Sequence, residues 1–264
     1  MSEQALYVYA IVPPEGAAEP GSGIDGREVL AVGDRHGAVA LVHRQDTVPF
    51  EGPDDDVRRW VVQHSEVIDR AWQTAGTALP VSFNVIVGPS EGASPEESLR
   101  GWLRENAATV RERLAALTDH VELRIEISVD SSTADDDPEI QRLEAEMAAR
   151  PEGVQRLYRK KLDTQRRDVT DRLADELYPE LRRRILAHAV DVVENRRSRA
   201  AEGSVPVLSI AVLVAESEIA PLGVELADIR DSRPGIDIRF LGPWPPYSFA
   251  DLPAMGPGPT SEGA

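Results

Sequence analysis

The sequence of 264 residues contains no cysteine, and this absence excludes disulfides, thiolate metal sites and cysteine nucleophiles. No apolar run approaches the length of a membrane-spanning helix, and the chain does not begin with a basic region followed by a long apolar run. Neither a membrane segment nor a secretory signal is therefore predicted. These absences together predict a soluble cytoplasmic protein with no membrane partner.

Motifs typical of catalysis are also missing. The sequence has no GxxxxGK phosphate loop, and its five histidines lie in no context typical of a catalytic base or of a metal site. Gly21, Gly23 and Gly26 have the spacing of a dinucleotide-binding loop, but a long loop precedes them and the residues that follow resemble a strand rather than a helix. We interpret these glycines as turn residues. We therefore expect no catalytic residue, no metal and no cofactor.

Basic residues are few relative to acidic ones, 29 against 46, which gives a net charge of −17. We expect no binding to nucleic acid or to anionic lipid, because a polyanion would be repelled. From residue 150 to residue 199, however, 14 basic side chains stand against 9 acidic ones. Arg159, Lys160 and Arg183 of this region are candidates for docking an acidic partner. The alternative is that most of these cations are solvated or paired with acidic residues at helical spacing.

Apolar periodicity predicts an α+β fold in two domains. Residues 1–119 are predicted to form an N-terminal mixed α/β domain. Its predicted strands cover 6–12, 28–33, 38–44 and 79–87, and its predicted helices cover 54–75 and 95–117.

Residues 120–250 are predicted to form a C-terminal ferredoxin-like domain with a long helical insertion over 138–200. We expect Pro179 to divide this insertion into two antiparallel or sharply kinked helices. One strand of the ferredoxin-like pattern is missing from the prediction or displaced by the insertion. The remaining predicted elements are strands over 121–129, 205–214 and 236–241, a helix over 216–231, an acidic linker over 130–137 and a disordered tail over 251–264.

Aromatic residues are scarce, 13 in all, and three of them lie close together near the end of the chain: Trp244, Tyr247 and Phe249. Gly242 and three nearby prolines remove backbone donors and restrict φ. We therefore expect the strand to stop at Leu241 and the chain to continue as a stiff, polyproline-like segment. Two interpretations are open. The segment plugs its own domain with Trp244 in the core, or it presents a preordered aromatic surface to a partner.

The terminal stretch GPWPPYSF (242–249) resembles the signature of the gas vesicle accessory proteins of the GvpF/GvpL family. Other stretches agree with it in the family order: LYVYAIV (6–12), LPVSFNVIV (79–87), VELRIEI (121–127), EGVQRLYRKKLD (152–163) and VPVLSIAVLV (205–214). The resemblance covers nearly the whole chain. Ser82 and Asn84 stand where the family pattern leads us to expect Arg and Gly, so no role tied to these two positions is carried over.

The resemblance implies a non-enzymatic assembly factor for gas vesicles, which are gas-filled protein shells built in the cytoplasm from a small, very hydrophobic major subunit. It implies that subunit and other accessory proteins as partners. On this hypothesis Trp244, Tyr247 and Phe249 cover apolar surface that would otherwise aggregate. The alternative is a small-molecule enzyme with a pocket between the two domains.

Overall fold

The computed structural model describes residues 4–33, 37–90, 92–195 and 203–255. Contacts divide these residues into two units. Unit 1 contains the described residues up to Val121 together with those from Trp244 onward, and unit 2 contains the described residues of Glu122–Pro243. The chain is mixed α+β, with one antiparallel sheet in each unit.

Unit 1 is built on a five-stranded sheet in which β1 (Gln4–Val12) is central. β3 (Val39–Asp46) pairs with one side of β1, and the short strands β4 (Leu79–Pro80) and β5 (Ile86–Val87) pair with the other side. β2 (Leu30–Gly33) pairs with the far side of β3. Every residue of β1 after its first is buried, because the strand is apolar on both faces and has neighbours along both edges.

Three helices belong to unit 1: α1 (Asp54–Ala75), α2 (Pro95–Glu105) and α3 (Ala107–Leu117). α1 packs against β1 and has the bounds that the sequence predicts. Its first turn contains three aspartates, which complement the positive end of the helix dipole. It ends where Gly76 adopts a left-handed φ of 69° and donates its N–H to the Trp72 carbonyl.

Two predicted elements of unit 1 are interrupted. The strand predicted over 79–87 is divided into β4 and β5 by a turn in which Asn84 has a φ of 70°. The Asn84 side chain fixes this turn, since it accepts the Phe50 N–H at 2.9 Å and donates to the Phe50 carbonyl at 3.1 Å. The helix predicted over 95–117 breaks at Asn106, whose φ of −102° and ψ of 11° lie outside the helical region.

The glycine loop leads into no helix. Ile24–Gly26 forms a single 3-10 turn, and the next regular element is the strand β2. Gly23 is required by packing, because a Cβ atom there would lie 2.0 Å from the Tyr9 hydroxyl oxygen. The structure therefore supports the interpretation of these glycines as turn residues.

The sheet of unit 2 has the order β7-β8-β6-β9. Its strands are β6 (His120–Asp130), β7 (Asp191–Glu194), β8 (Ser204–Ala215) and β9 (Ile236–Trp244), and its helices are α4 (Pro138–Ala148), α5 (Glu152–Leu186) and α6 (Ile219–Ser232). The succession of one strand, helices, two strands, a helix and a strand is that of a ferredoxin-like motif. The division into two independent domains at the boundaries given above stays a prediction.

β7 is the strand that the sequence pattern did not locate. The helical insertion predicted over 138–200 extends too far, because α5 ends at Leu186. Beyond it, the Val190 N–H donates to the Leu213 carbonyl at 2.8 Å, and β7 pairs antiparallel with β8. The edge of β8 thus provides the backbone hydrogen bonds that would otherwise come from a continued helix.

α5 is one helix of 35 residues with Pro179 inside it, so the prediction of two antiparallel helices is wrong, while a kink at this proline stays a prediction. Leu177, Leu181 and Ile185 are buried on both sides of the proline in sequence. Because tertiary packing supplies most of the stability of a helix, this apolar stripe outweighs the local cost of the missing hydrogen bond.

The acidic linker predicted over 130–137 is structured instead. Ser131–Asp136 forms a 3-10 helix, and the Asp130 carboxylate accepts the Ser132 N–H at 2.7 Å. Ala134 of this segment is buried in a small apolar cluster with residues of α4 and α5. The prediction of a linker is therefore wrong, because the acidic side chains cap short helices while Ala134 joins the core.

The described residues from Trp244 onward belong to unit 1. Trp102 donates its Nε1–H to the Ala254 carbonyl at 3.0 Å, and Arg113 lies 3.6 Å from the Asp251 carboxylate. Residues 251–255 of the predicted disordered tail are therefore held against α2 and α3. The remainder of that tail, 256–264, lies outside the described residues.

We predict that Asn84→Ala lowers the free energy of unfolding more than Asn84→Gly does. Both changes remove the two hydrogen bonds to Phe50, each worth about 0.5–1.5 kcal/mol. Only alanine is strained at a φ of 70°, so we expect a further loss of about 1 kcal/mol for it. Urea unfolding of the two variants measures this difference. Equal losses would show that the backbone conformation at residue 84 does not limit stability.

Candidate interaction surfaces

β9 is the edge strand of the unit 2 sheet, so one side of it has no neighbouring strand among the described residues. The prediction that this strand stops at Leu241 is wrong, since β9 continues through Gly242 and Pro243 to Trp244. An edge strand tolerates proline because only one of its two sides needs backbone donors. The Gly242–Pro243 peptide bond is cis.

The two halves of β9 differ in charge and exposure. The first half contains Asp237 and Arg239, and Arg239 lies 3.2 Å from the Glu126 carboxylate of β6. The second half contains no charged residue. Phe240 is 39% exposed, Leu241 is 36% exposed and Trp244 is 39% exposed. Large apolar side chains therefore reach solvent along an uncharged stretch of sheet edge.

The aromatic segment is divided between buried and exposed residues, and Trp244 is not the core residue that one of the two interpretations requires. Phe249 is 5% exposed, and Pro245 and Pro246 are buried, so this part plugs unit 1. Tyr247 is 39% exposed, as Trp244 is. Of the three aromatic residues predicted to contact a partner, two reach the surface and Phe249 does not.

The cations of the helical region are divided between ion pairs and solvent. Arg166 contacts Asp135 and Glu144, Arg182 contacts Glu194, and Arg184 contacts Glu225 and Asp228. These three arginines are therefore paired, but their partners lie 12 to 44 residues away along the chain and not at the helical spacing that the sequence left as an alternative.

The three predicted docking cations, Arg159, Lys160 and Arg183, are all exposed on α5. Arg183 follows Arg159 by 24 residues, which places them about 36 Å apart along the helix axis. Lys160 lines a cavity of about 470 Å³ together with Arg167, while Arg159 and Arg183 do not. The structure does not bring the three residues together in one site.

Four ionisable side chains form a cluster in the core of unit 1. The Tyr7 hydroxyl lies 2.9 Å from His64 Nδ1, and the Tyr9 hydroxyl lies 2.7 Å from His43 Nδ1. His64 Nε2 lies 3.0 Å from the Val81 carbonyl, which can only accept. The proton of neutral His64 is therefore on Nε2, and Tyr7 donates to Nδ1. Tyr7 also stacks on His43, with ring centroids 4.9 Å apart.

Burial holds this cluster uncharged. It raises the pKa of Tyr7 far above the usual range and the pKa of Tyr9 to about 12. Burial also lowers the pKa of His64 to about 4 and, with the charge of Arg27, lowers the pKa of His43 to about 4. The His43 Nε2 and Gln45 Oε1 atoms are buried without a well-directed hydrogen bond. The Gln45 side chain nevertheless offsets a part of the decrease in the pKa of His43.

The cluster is a part of the core and not a site that opens to solvent. All four rings are 3% exposed or less, and none of them lines the cavity at Lys160. The cluster could not be predicted from local sequence patterns, because the partners lie 57 and 34 residues apart along the chain. The available signal was the alternation that places Tyr7 and Tyr9 on one face of β1.

Residues 5–251 match the sequence profile of the family described as gas vesicle synthesis protein GvpL/GvpF. The chain belongs to this family. The match includes both units and the aromatic segment, so family membership rests on nearly the whole chain.

Two archaeal relatives are similar over most of the chain. Gas vesicle protein L of Haloferax mediterranei is 32% identical over 241 residues, which are 87% of this chain and 72% of the relative. Gas vesicle protein L2 of Halobacterium salinarum is 30% identical over 260 residues, 92% of this chain and 90% of the relative.

Two solved structures share the fold. The crystal structure of gas vesicle protein GvpF from Anabaena sp. PCC7120 matches with a TM-score of 0.67 at 19% identity, over 96% of this chain and 98% of that one. The crystal structure of GvpF from Microcystis aeruginosa matches with a TM-score of 0.62 at 18% identity, over 94% and 99%. The fold of this chain is therefore similar to that of GvpF.

Within the described ranges, no helix combines the length and the apolar character needed to cross a membrane. The same part of the chain contains no group of three His, Asp or Glu side chains placed to hold a metal ion.

We predict that the free energy of unfolding falls as the pH is lowered from about 6.5 to about 4. The unfolded protein protonates His43 and His64 near pH 6.5, whereas the folded protein does so only near pH 4, so unfolding takes up as many as two protons in this window. Urea unfolding at a series of pH values measures this slope. His43→Gln should reduce the proton uptake by about one. A wild-type slope that His43→Gln leaves unchanged would contradict the assignment.

Proposed function

We propose that this protein is an accessory factor of gas vesicle formation that binds the hydrophobic major shell subunit through the second half of β9. The family membership and the names of the relatives support a role in gas vesicle synthesis. The observation that carries the proposal is the uncharged, exposed sheet edge of Phe240, Leu241 and Trp244.

A free strand edge binds another chain by adding it as a further strand. The backbone N–H and C=O groups provide the affinity, and the side chains beside them select the partner. Exposed Phe240 and Trp244 favour a partner with apolar side chains, since aromatic rings bury a large area with little loss of side-chain entropy. A small, very hydrophobic shell subunit fits this description.

The residues of β9 also limit the strength of binding at this edge. Asp237 and Arg239 flank the exposed half of β9, and Pro243 removes one donor within it. Only a short ladder can form, which favours a weak and reversible complex. An assembly factor needs this property, because it must release the subunit to the growing shell.

Other accessory proteins are the second class of proposed partner. The exposed cations Arg159, Lys160 and Arg183 are separate points along α5 and not one surface. We assign them contacts with acidic partners at distinct positions on this helix, and these contacts should weaken as salt is added.

We predict that Trp244→Ala weakens the complex with the shell subunit by about tenfold or more, because exposed aromatic anchors commonly carry a large part of the binding energy. The measurement is the soluble fraction of coexpressed shell subunit, with the affinity of the purified complex. Val224→Ala is the matched control, since Val224 is an apolar residue of α6 that is 71% exposed. Unchanged binding by a Trp244→Ala protein with wild-type thermal stability would contradict the role of this residue.

We predict that Leu241→Lys has a comparable effect, because a charge on the edge blocks the approach of an apolar strand. Leu157→Lys is the control, since Leu157 of α5 is 72% exposed and lies outside the sheet. Pull-down of the shell subunit compares the two variants. If both lower binding equally, the effect comes from the added charge and the edge of β9 is not the binding site.

A further inference from the structure

Unit 1 contains a groove of about 1080 Å³ that has no part in the proposal for β9. We call it the arginine groove, after Arg100 and Arg104 of α2 and Arg111 of α3, which line it with Leu103 and Leu114. The other apolar side chains of its wall are Pro13, Pro14, Ala38, Ala75, Ala107 and Ala115. The groove thus combines an apolar floor with cations.

The charge of the groove is opposite to that of the whole protein. Its three arginines are exposed, and none of them forms an ion pair with a described carboxylate. Glu97 is the one acidic residue among the described residues that line it. The Glu97 carboxylate is already bonded to the Ser94 N–H at 2.8 Å and the Ser94 hydroxyl at 3.0 Å. A net positive groove in a chain of net charge −17 favours an acidic occupant.

The start of α3 adds a second, independent preference for negative charge. Ala107, the first residue of this helix, lines the groove. The preceding Asn106 makes no side-chain cap for α3, because its Nδ2 donates to the Trp102 carbonyl instead. The first turn of α3 contains no acidic residue. The positive end of the helix dipole is therefore not compensated from within the helix.

The spacing of the cations favours a peptide over a small anion. Arg100 and Arg104 lie one helical turn apart on α2, and Arg111 lies on a different helix. All three arginines are exposed, so they do not form the buried, convergent set of polar groups that is typical of a small-molecule site. Carboxylates distributed along a segment can each meet one of these cations, and apolar side chains between them match the floor formed by Leu103 and Leu114.

We propose that the arginine groove binds an acidic, amphipathic peptide segment of a partner protein. The carboxylates of the segment pair with Arg100, Arg104 and Arg111, and its apolar side chains pack on Leu103 and Leu114. This contact is separate from the edge of β9, so the protein can hold two partners by different chemistry.

The test uses the full chain and three labelled synthetic peptides: one with leucines at helical spacing and glutamates between them, one with lysines in place of the glutamates, and one with the glutamate sequence scrambled. Fluorescence anisotropy measures each affinity at about 0.05 M and about 0.5 M salt. We expect the acidic amphipathic peptide to bind about tenfold or more tightly than the other two, and to weaken as salt increases.

Two sets of variants locate the binding. Arg100→Gln with Arg111→Gln should weaken the acidic peptide by about tenfold or more. Arg58→Gln with Arg142→Gln removes the same charge from exposed positions outside the groove and should change nothing. Ala107→Asp places a carboxylate at the start of α3, where it favours the helix, so the variant should keep its thermal stability and still lose the peptide.

Three results would overturn the proposal. The first is equal affinity for the three peptides, or an affinity that neither Arg100→Gln with Arg111→Gln nor Ala107→Asp changes. The second is complete displacement of the acidic peptide by inorganic phosphate while the total ionic strength is held constant, which would indicate a small-anion site. The third is a dimer in analytical ultracentrifugation that the groove variants dissociate, which would show that a second copy of this chain occupies the groove.

Discussion

Burial of β1 on both of its faces is the constraint on which unit 1 depends. The strand carries two tyrosines into the core, and their hydroxyl groups need partners there. Tyr9 binds His43 of β3 and the N–H of Ile24 in the glycine loop, while Tyr7 binds His64 of α1 and the N–H of Asn84 in the β4–β5 turn. Two phenol oxygens thus fix four elements that are distant in sequence, and each of those elements must meet a defined atom.

Unit 2 depends less on polar atoms and more on one apolar stripe. α5 remains a single helix through Pro179 because Leu177, Leu181 and Ile185 pack continuously, and its length carries exposed cations far from one another. The sheet beneath it ends in β9, whose second half is uncharged and whose outer side has no neighbouring strand among the described residues. We therefore assign binding to surfaces that pack against the rest of the protein on one side and are exposed on the other.

Local signals in the sequence were sufficient where the structure is local. The aspartates in the first turn of α1 and Gly76 after its last residue define that helix, and the apolar run of β8 indicates a central strand. β7 could not be found, because four residues that follow a long helical pattern are defined only by their pairing with β8. The Asn84 turn could be placed only with knowledge of Phe50, whose backbone it binds. Trp244 and Tyr247 were identified from composition alone, but their exposure follows from the edge position of β9 and from the burial of Phe249.

The return of the chain to unit 1 at Trp244 has a consequence for how the molecule can be divided. Its two units are joined by two covalent crossings, one after Val121 and one before Trp244, and not by a single linker. A fragment that stops near residue 120 lacks Phe249 and the Asp251–Arg113 contact, and so lacks a part of its own core and surface. Cleavage by a protease at either crossing alone would leave unit 2 covalently attached to one part of unit 1, while the other part of unit 1 would be held by non-covalent contacts alone.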